Sequence, residues 1–412
     1  MPKFFYIVRD SKGQRSSGVE EGFTEEEVVS RLQARGLLVV NVVIEGKGAS
    51  AGIAAENKGK VRFKFKHYGV SSDDLVLFCR QLATLLGAGV TILKSLDIIS
   101  LQVSSLKMYN IMHRLQKDME AGLSLHEAMS KHPAAFSELW VNLVESGEAS
   151  GNLAMVLTRL AGYLERNAAF RRKIISALLY PAVLLIAGLG ALLFLTIKII
   201  PTFAELFKGF NVELPALTQV LIGFSDIVRK YIFVFLIIGA IVFYLLKKYI
   251  KTKEGSRAYE RFKFSLPLFG DFFRGLVVER FSSEMSTLVE SGVPILYSLE
   301  IAEHSVGNIV MSDIIRTIKD DVRGGKTLSQ PLDRSGFFEP MVVQMVAIGE
   351  EIGELPQMFK KINSFYQEYV ETFLTRFSSM FEPIMLIFMG IVIGIMVIGM
   401  FLPIFQISKI SG

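Results

Sequence analysis

The residues best suited to chemistry are few, and their spacing argues against catalysis. A GGKT run at 324–327 ends like a phosphate-binding loop, in which backbone amides and a lysine surround a phosphate. That loop needs a glycine five positions before its last one, and position 320 is Asp320, so the run reads as a turn joining two helices. The five histidines (His67, His113, His126, His132 and His304) show no i,i+4 pair and no cysteine at metal-ligand spacing. Cys79, the single cysteine, lies in LVLFCRQL and reads as a small buried apolar residue; a disulfide within the chain is excluded. Carboxylates gather in two turns, Gly147-Glu148-Ala149-Ser150-Gly151-Asn152 and Gly349-Glu350-Glu351-Ile352-Gly353-Glu354. Such oxygens suit Ca²⁺ or Mg²⁺, but one carboxylate and one amide do not complete a site, and helix capping is the favoured reading. Glu382, next to Pro383, has no second intramembrane carboxylate with which to relay a proton. The chain is read as a non-enzyme that requires no cofactor.

The elements that hold these residues are set by hydropathy. Of 412 residues, 51% are hydrophobic and 21% charged, and the mean hydropathy is +0.41. Two charge-free runs are long enough to cross a bilayer, Ala177–Ile197 with 21 residues and Pro383–Phe405 with 23. A third, Tyr231–Leu246, has only 16, with Lys247 and Lys248 able to snorkel at its end. Twelve basic residues (Arg166, Arg171, Arg172, Lys173, Lys247, Lys248, Lys251, Lys253, Arg257, Arg261, Lys263, Arg376) flank one side of these runs. Four (Lys208, Arg229, Lys230, Lys409) flank the other. Because Lys and Arg favour cytoplasmic flanks, the N-terminus and both large polar segments are placed in the cytoplasm and the C-terminus outside. The net charge of +5 is then mostly a topology signal, with some attraction to anionic lipid. No aromatic platform interleaves with the basic residues, so direct nucleic-acid binding is not expected.

The chain also repeats itself. Residues 77–96 (LFCRQLATLLGAGVTILKSL) and 280–299 (RFSSEMSTLVESGVPILYSL) share nine of twenty positions at an offset of 203. The register continues through AGLSL (121–125) and GGKTL (324–328), then shifts to 202, where SGEASGNL (146–153) meets IGEEIGEL (348–355). There Pro181 matches Pro383 and Pro201 matches Pro403, and each proline is expected to begin or kink a span. Two copies of "helical segment, then outward span" face the same way only if a span returns the chain between them, which makes Tyr231–Leu246 a real span. Three-to-four spacing predicts a bundle of about six helices per copy, starting in the first with Ser72 as cap and Gly89 as stop. Small-xxx-small patterns, Ala187xxxAla191 and Gly390xxxGly394, permit close helix approach within one chain or between subunits. Ahead of the repeats, FFYIVRD (4–10), QRSSGVEEG (14–22) and LLVVNVVI (37–44) read as strands around a helix capped by Thr24. The fold class is mainly α: a polytopic membrane protein with two repeated cytoplasmic helical bundles, three transmembrane helices and a small N-terminal α+β module. The expected segments are the module (1–44), a flexible basic linker (45–70), bundle one (71–176), span one (177–200), an external loop (201–230), span two (231–246), bundle two (247–382), span three (383–405) and an external tail (406–412).

Together, the module, two copies of "helix, (A/S)GVxILxSL, bundle, (S/I)GExxGxL, Tyr/Glu-Pro, span" and the three spans resemble the inner-membrane platform proteins of type II secretion systems and type IV pili. The resemblance covers nearly the whole chain. It implies a non-enzymatic, oligomeric subunit of the bacterial inner membrane whose cytoplasmic domains engage a hexameric assembly or retraction ATPase. Pilin or pseudopilin subunits, other inner-membrane assembly components, a second copy of the chain and membrane lipid would be its partners. Some relatives bind Ca²⁺ between cytoplasmic domains through the glutamate of GExxG, its fourth successor and a residue of the preceding hairpin. Here that implies Glu148, Asn152 and the region of Lys94, where a lysine is a poor cation ligand. The residues alone leave two other classes open, a transporter or channel and a receptor-like scaffold.

Overall fold

The computed structural model describes residues 3–9, 15–36, 38–44, 67–208 and 214–410. The chain divides into two units at residues 64 and 65. In the N-terminal unit, β1 (Lys3–Arg9) is central, flanked by β2 (Arg15–Glu21) and β3 (Leu38–Ile44), both antiparallel to it. Alternate side chains of a strand share a face, so Phe4 and Val8 point together at Val28 and Leu32 of α1 (Glu25–Ala34), with Val42 completing the small core. Thr24 caps α1, accepting from the Glu27 amide at 3.3 Å, while Phe23 N donates to Glu27 Oε2 at 2.9 Å. Residues 11–13 (SKG), expected as the turn between the first two strands, and residues 45–66 of the expected linker lie outside the described residues.

The second unit holds both repeats. Copy one comprises α2 (Ser72–Gly87), α3 (Ile92–Ser100), α4 (Leu106–Glu120), α5 (Leu125–Ser130), α6 (Glu138–Ala149) and α7 (Leu153–Phe194). The cap of α2 is Ser71 rather than Ser72. A capping box needs an acid three residues on, and only Ser71 has one: Asp74 Oδ2 accepts from Ser71 N at 2.8 Å, and Asp74 N donates to Ser71 Oγ at 3.1 Å. His67 Nε2 also meets this carboxylate at 2.7 Å, and the amides of Leu106 and Lys107 donate to the His67 and Tyr68 carbonyls. Residues from His67 therefore join the first bundle instead of the linker. Phe78, Leu82, Leu96, Met112, Trp140 and Leu157 form its centre.

Copy two repeats this order. After α8 (Ile200–Lys208), α9 (Ala216–Ile250) and a short α10 (Lys253–Ser265) come α11 (Gly270–Glu290), α12 (Ile295–Ser305), α13 (Ile309–Arg323), α14 (Ser329–Arg334), α15 (Pro340–Glu351) and α16 (Leu355–Ile410). Phe281, Met285, Leu299, Ile315, Val346 and Phe359 are its buried centre. The copies match in backbone as well as in sequence. Gly89 has φ +82° and Gly292 has φ +83°, in each case closing the turn after the first long helix in a conformation that side chains with a Cβ avoid.

Three helices are long and apolar enough to cross a membrane: Leu153–Phe207, Ala216–Ile250 and Leu355–Phe405. Bundle and span are one continuous helix in both copies. Pro181 and Pro383 lie inside α7 and α16 and begin neither. Leu195–Ile199 is a π turn. Its widened ring accommodates Pro201, which has no amide to donate and would press on the carbonyl four residues back. The expected loop 201–230 is mostly helical. Charges at Arg229 and Lys230 end the uncharged run but not the hydrogen-bonded helix, so Tyr231–Leu246 is the interior of α9. The small residues that bring spans together differ from the pattern positions: a Cβ on Gly188 would sit 3.3 Å from Met389 Sδ, and one on Gly399 would sit 2.3 Å from Leu221 Cδ1. Gly390 and Gly394 face open space.

Candidate functional site

Glu148 serves as a helix cap. Its carboxylate accepts from Leu125 N at 2.7 Å and His126 N at 3.1 Å, the first amides of α5, and meets His126 Nδ1 at 2.6 Å. Free amides and the positive dipole end of a helix favour a carboxylate there. Glu350 does the same in copy two, accepting from Leu328 N at 2.6 Å and Ser329 N at 3.3 Å at the start of α14. Asn152 Nδ2 donates to the Ser150 carbonyl at 3.3 Å, and Lys94 Nζ pairs with Asp97 at 3.2 Å. Among the described residues no three or more His, Cys, Asp or Glu side chains group to hold a metal ion. Glu148 and Asn152 are thus each engaged with backbone groups of their own chain. The GGKT run is the turn between α13 and α14, with Lys326 Nζ paired to Asp321 at 2.6 Å.

What the sequence reading missed is the junction of the two repeats. There α7 of copy one meets α11 and α16 of copy two around Phe170, Phe272, Val370 and Leu374. Lys173 Nζ pairs with Glu371 at 2.7 Å, and Ser378 Oγ donates to the Ala177 carbonyl at 2.9 Å. Tyr180 lies beside Glu382, its counterpart at the 202 offset, so equivalent positions meet as they would about a local twofold axis. Further from the spans, Arg159 Nη1 donates to the Glu290 carbonyl and Tyr297 OH to Asn142 Oδ1 at 2.6 Å. Leu288, Val293 and Ile301 of copy two are buried in the core of copy one.

The centre of this junction is polar. Helix α11 buries Glu279, Ser282, Ser283, Glu284, Ser286 and Thr287. Small hydroxyl side chains let helices approach closely, and buried carboxylates persist only where donors meet them. Glu279 Oε1 accepts from Asn363 at 3.0 Å and Gln367 at 2.8 Å, both on α16. Glu284, 1% exposed, accepts from Ser305 Oγ at 2.6 Å, Arg280 Nε at 3.2 Å and, across the repeat boundary, Tyr163 OH at 3.5 Å. Burial raises the pKa of both carboxyls above the ordinary glutamate value, although Gln367 and Asn363 pull Glu279 down, and Arg280 and Ser305 pull Glu284 down. Burial also raises the Tyr163 hydroxyl, with the nearby Glu284 adding to the rise. Beside them a cavity of about 390 Å³ opens between the copies, lined from one side by Tyr163, Asn167 and Arg171 and from the other by Lys263, Glu279 and Arg280. This arrangement pairs no nucleophile with a base; it is a hydrogen-bonded keystone locking the two bundles. Two carboxylates five residues apart on a helix with a conventional apolar face were the available signal, and ERFSSEMSTLVE reads equally well with them in water.

Comparison with known proteins agrees with this architecture. A family model described as type II secretion system protein F matches residues 78–201 and again 281–403, the two copies. A model for the N-terminal domain of the same protein matches residues 1–43. The chain is 38% identical over 408 residues to the type IV pilus assembly protein PilC of Thermus thermophilus, covering 99% of this chain and 98% of the relative. It is 31% identical over 411 residues to the PilC of Myxococcus xanthus, covering 98% and 95%. With the type II secretion system protein F of Pseudomonas aeruginosa it shares 33% over 416 residues, covering all of both chains.

Proposed function

The chain belongs to the type II secretion system protein F family, the inner-membrane platform proteins of type II secretion and type IV pilus machines, and on that premise we propose that it couples a cytoplasmic assembly ATPase to the extrusion of pilin or pseudopilin subunits. The observation that carries this reading is the continuity of bundle and span. Helix α7 has 42 residues and α16 has 56, so even the shorter is about 63 Å long, twice the roughly 30 Å of hydrocarbon it must cross. A push or twist on either bundle reaches the bilayer through a hydrogen-bonded rod with no loop to absorb it. The α11 keystone joins the bundles, so both rods would move together.

In this reading the N-terminus and both bundles face the cytoplasm, where a hexameric ATPase docks, and the C-terminus lies outside. Pilin or pseudopilin subunits engage the spans, and a second copy of the chain and other inner-membrane components complete the platform. The basic flanks counted above support this orientation. Copurification of the tagged full-length chain with the pilus and secretion ATPases of the same cell tests the proposal. Recovery of one of them is expected, and failure with all of them overturns the coupling role. Reporter fusions at 212 and 320 test the orientation: outside and inside respectively are expected, and the reverse contradicts it.

A further inference from the structure

Helix α10 begins three residues after α9 ends at Ile250. One face is committed to the second bundle: Asn308 donates to Glu260 at 2.6 Å, Arg257 pairs with Asp313 at 2.8 Å, and the Phe264 ring stands 5.4 Å from that of Phe337. The other face leaves Phe262 62% and Tyr259 42% exposed, with Lys251, Lys253 and Arg261 exposed around them. The turn that follows is stranger still. Leu268 has φ +69°, among the described residues the one non-glycine with positive φ, and it is 85% exposed. A leucine avoids this backbone region, and water gives an exposed isobutyl group nothing in return.

The level of the turn is fixed by its neighbour. The Phe269 ring lies 5.7 Å from Phe373 and 5.5 Å from Phe377 on α16. Phe377 is six residues, about 9 Å of helix rise, before Pro383, where the uncharged run begins. The start of α10 is set independently by Lys247 and Lys248 at the end of α9. Both markers bring the exposed apolar side chains to the edge of the bilayer.

We propose that the 265–270 turn and the outer face of α10 dip into the headgroup–acyl boundary of an anionic bilayer. Leu268, Phe262 and Tyr259 enter the apolar side, and Lys251, Lys253 and Arg261 meet headgroup phosphates. The contact is a fourth membrane attachment, between spans two and three, and it steadies the second bundle against the surface on which its spans turn. It stands whichever ATPase or filament the chain serves.

The test uses the full chain in nanodiscs of phosphatidylcholine and phosphatidylglycerol, spin-labelled at Leu268→Cys or Phe262→Cys in a Cys79→Ser background. Accessibility to oxygen and to a water-soluble nickel chelate is compared with a label at Ala121→Cys, in an exposed turn of the first bundle. A severalfold higher oxygen-to-nickel ratio at 262 and 268 is expected. A ratio equal to that at 121, or shielding from both reagents as a second copy or another protein would give, overturns the proposal. Because a label can disturb the turn, unlabelled variants form a second arm. Leu268→Gly, at ease with positive φ, should melt like the parent, and Leu268→Asp should melt lower in anionic nanodiscs than in detergent relative to the parent. Identical behaviour of Leu268→Asp and parent in both media also counts against the lipid contact.

Discussion

Helices α2 and α11 are the same element in two copies, and they have opposite surroundings. Phe78 and its counterpart Phe281 are both buried in their own bundles. On the other side, Arg80 of α2 reaches out to pair with Glu165, whereas the matching Ser283 is buried; half-buried Gln81 is matched by Glu284, which is sealed. The difference arises because α2 packs on α7 of its own copy alone, whereas α11 packs on α16 of its own copy and is also reached by α7 of the other copy at Tyr163; among the described residues α16 gives α2 no comparable cover. A duplicated bundle keeps its inner face, since packing demands it, and its outer face diverges according to what covers it. Asymmetry between the copies therefore marks where one docks on the other.

The largest effect expected from this contrast is at Glu284. Glu284→Ala strands Ser305, Arg280 and Tyr163, and should cost about 2–3 kcal/mol. The matching Gln81→Ala should cost less than about 1 kcal/mol. Denaturant unfolding of the detergent-solubilised chain reads both, and equal losses would erase the distinction.

A pH scan sharpens it. Folding raises the pKa of Glu279 and Glu284 above the ordinary 4.5, so the folded state holds their protons more tightly than the unfolded one. Their contribution is complete below 4.5 and is lost as pH rises through the raised values. Asp74 of copy one behaves oppositely. Burial pushes it up, but Ser71 and His67 outweigh that and lower it below 3.8, so its contribution is present above 3.8 and lost on acidification through the lowered value. A Glu279→Gln/Glu284→Gln chain should lose the decline in stability above 4.5 and keep the acid limb; an unchanged profile would contradict the assignment.

Smaller contrasts follow at the turns. Loss of a capping side chain costs about 1 kcal/mol. Glu350→Ala should cost more than Glu148→Ala, because Ser124 and Glu127 already form a capping box at α5 while α14 has no side-chain cap of its own. Gly89→Ala and Gly292→Ala should each cost about 1 kcal/mol from positive φ alone. A Cβ at either position meets nothing within 4 Å, so the two costs should match.

Much of this architecture was legible in the residues. The repeat offset, the glycine stops and the charge-free runs are local signals, and the requirement for a return span followed from the repeat itself. Helix ends beyond the uncharged runs were not legible, because Arg229 and Lys230 interrupt hydropathy without interrupting a helix. The GExxG glutamates were visible as a pattern, with capping as the favoured role over a cation site. The keystone was hidden for a different reason. Tyr163 and Glu284 are 121 residues apart, and α11 carries serines and glutamates that suit water equally well until another bundle covers them. Leu268 looks ordinary in SLPLFG, since positive φ leaves no mark on a leucine in sequence.

The central claim is that unbroken helices carry motion from the bundles into the membrane. A Gly-Gly-Ser insertion after Leu179, an exposed position in α7 just ahead of Pro181, breaks one rod at the bilayer entry while leaving both bundles intact. Filament assembly by cells carrying this variant tests the claim most directly. The expected result is normal membrane abundance and retained ATPase copurification with assembly abolished; assembly at the parent level would contradict the account.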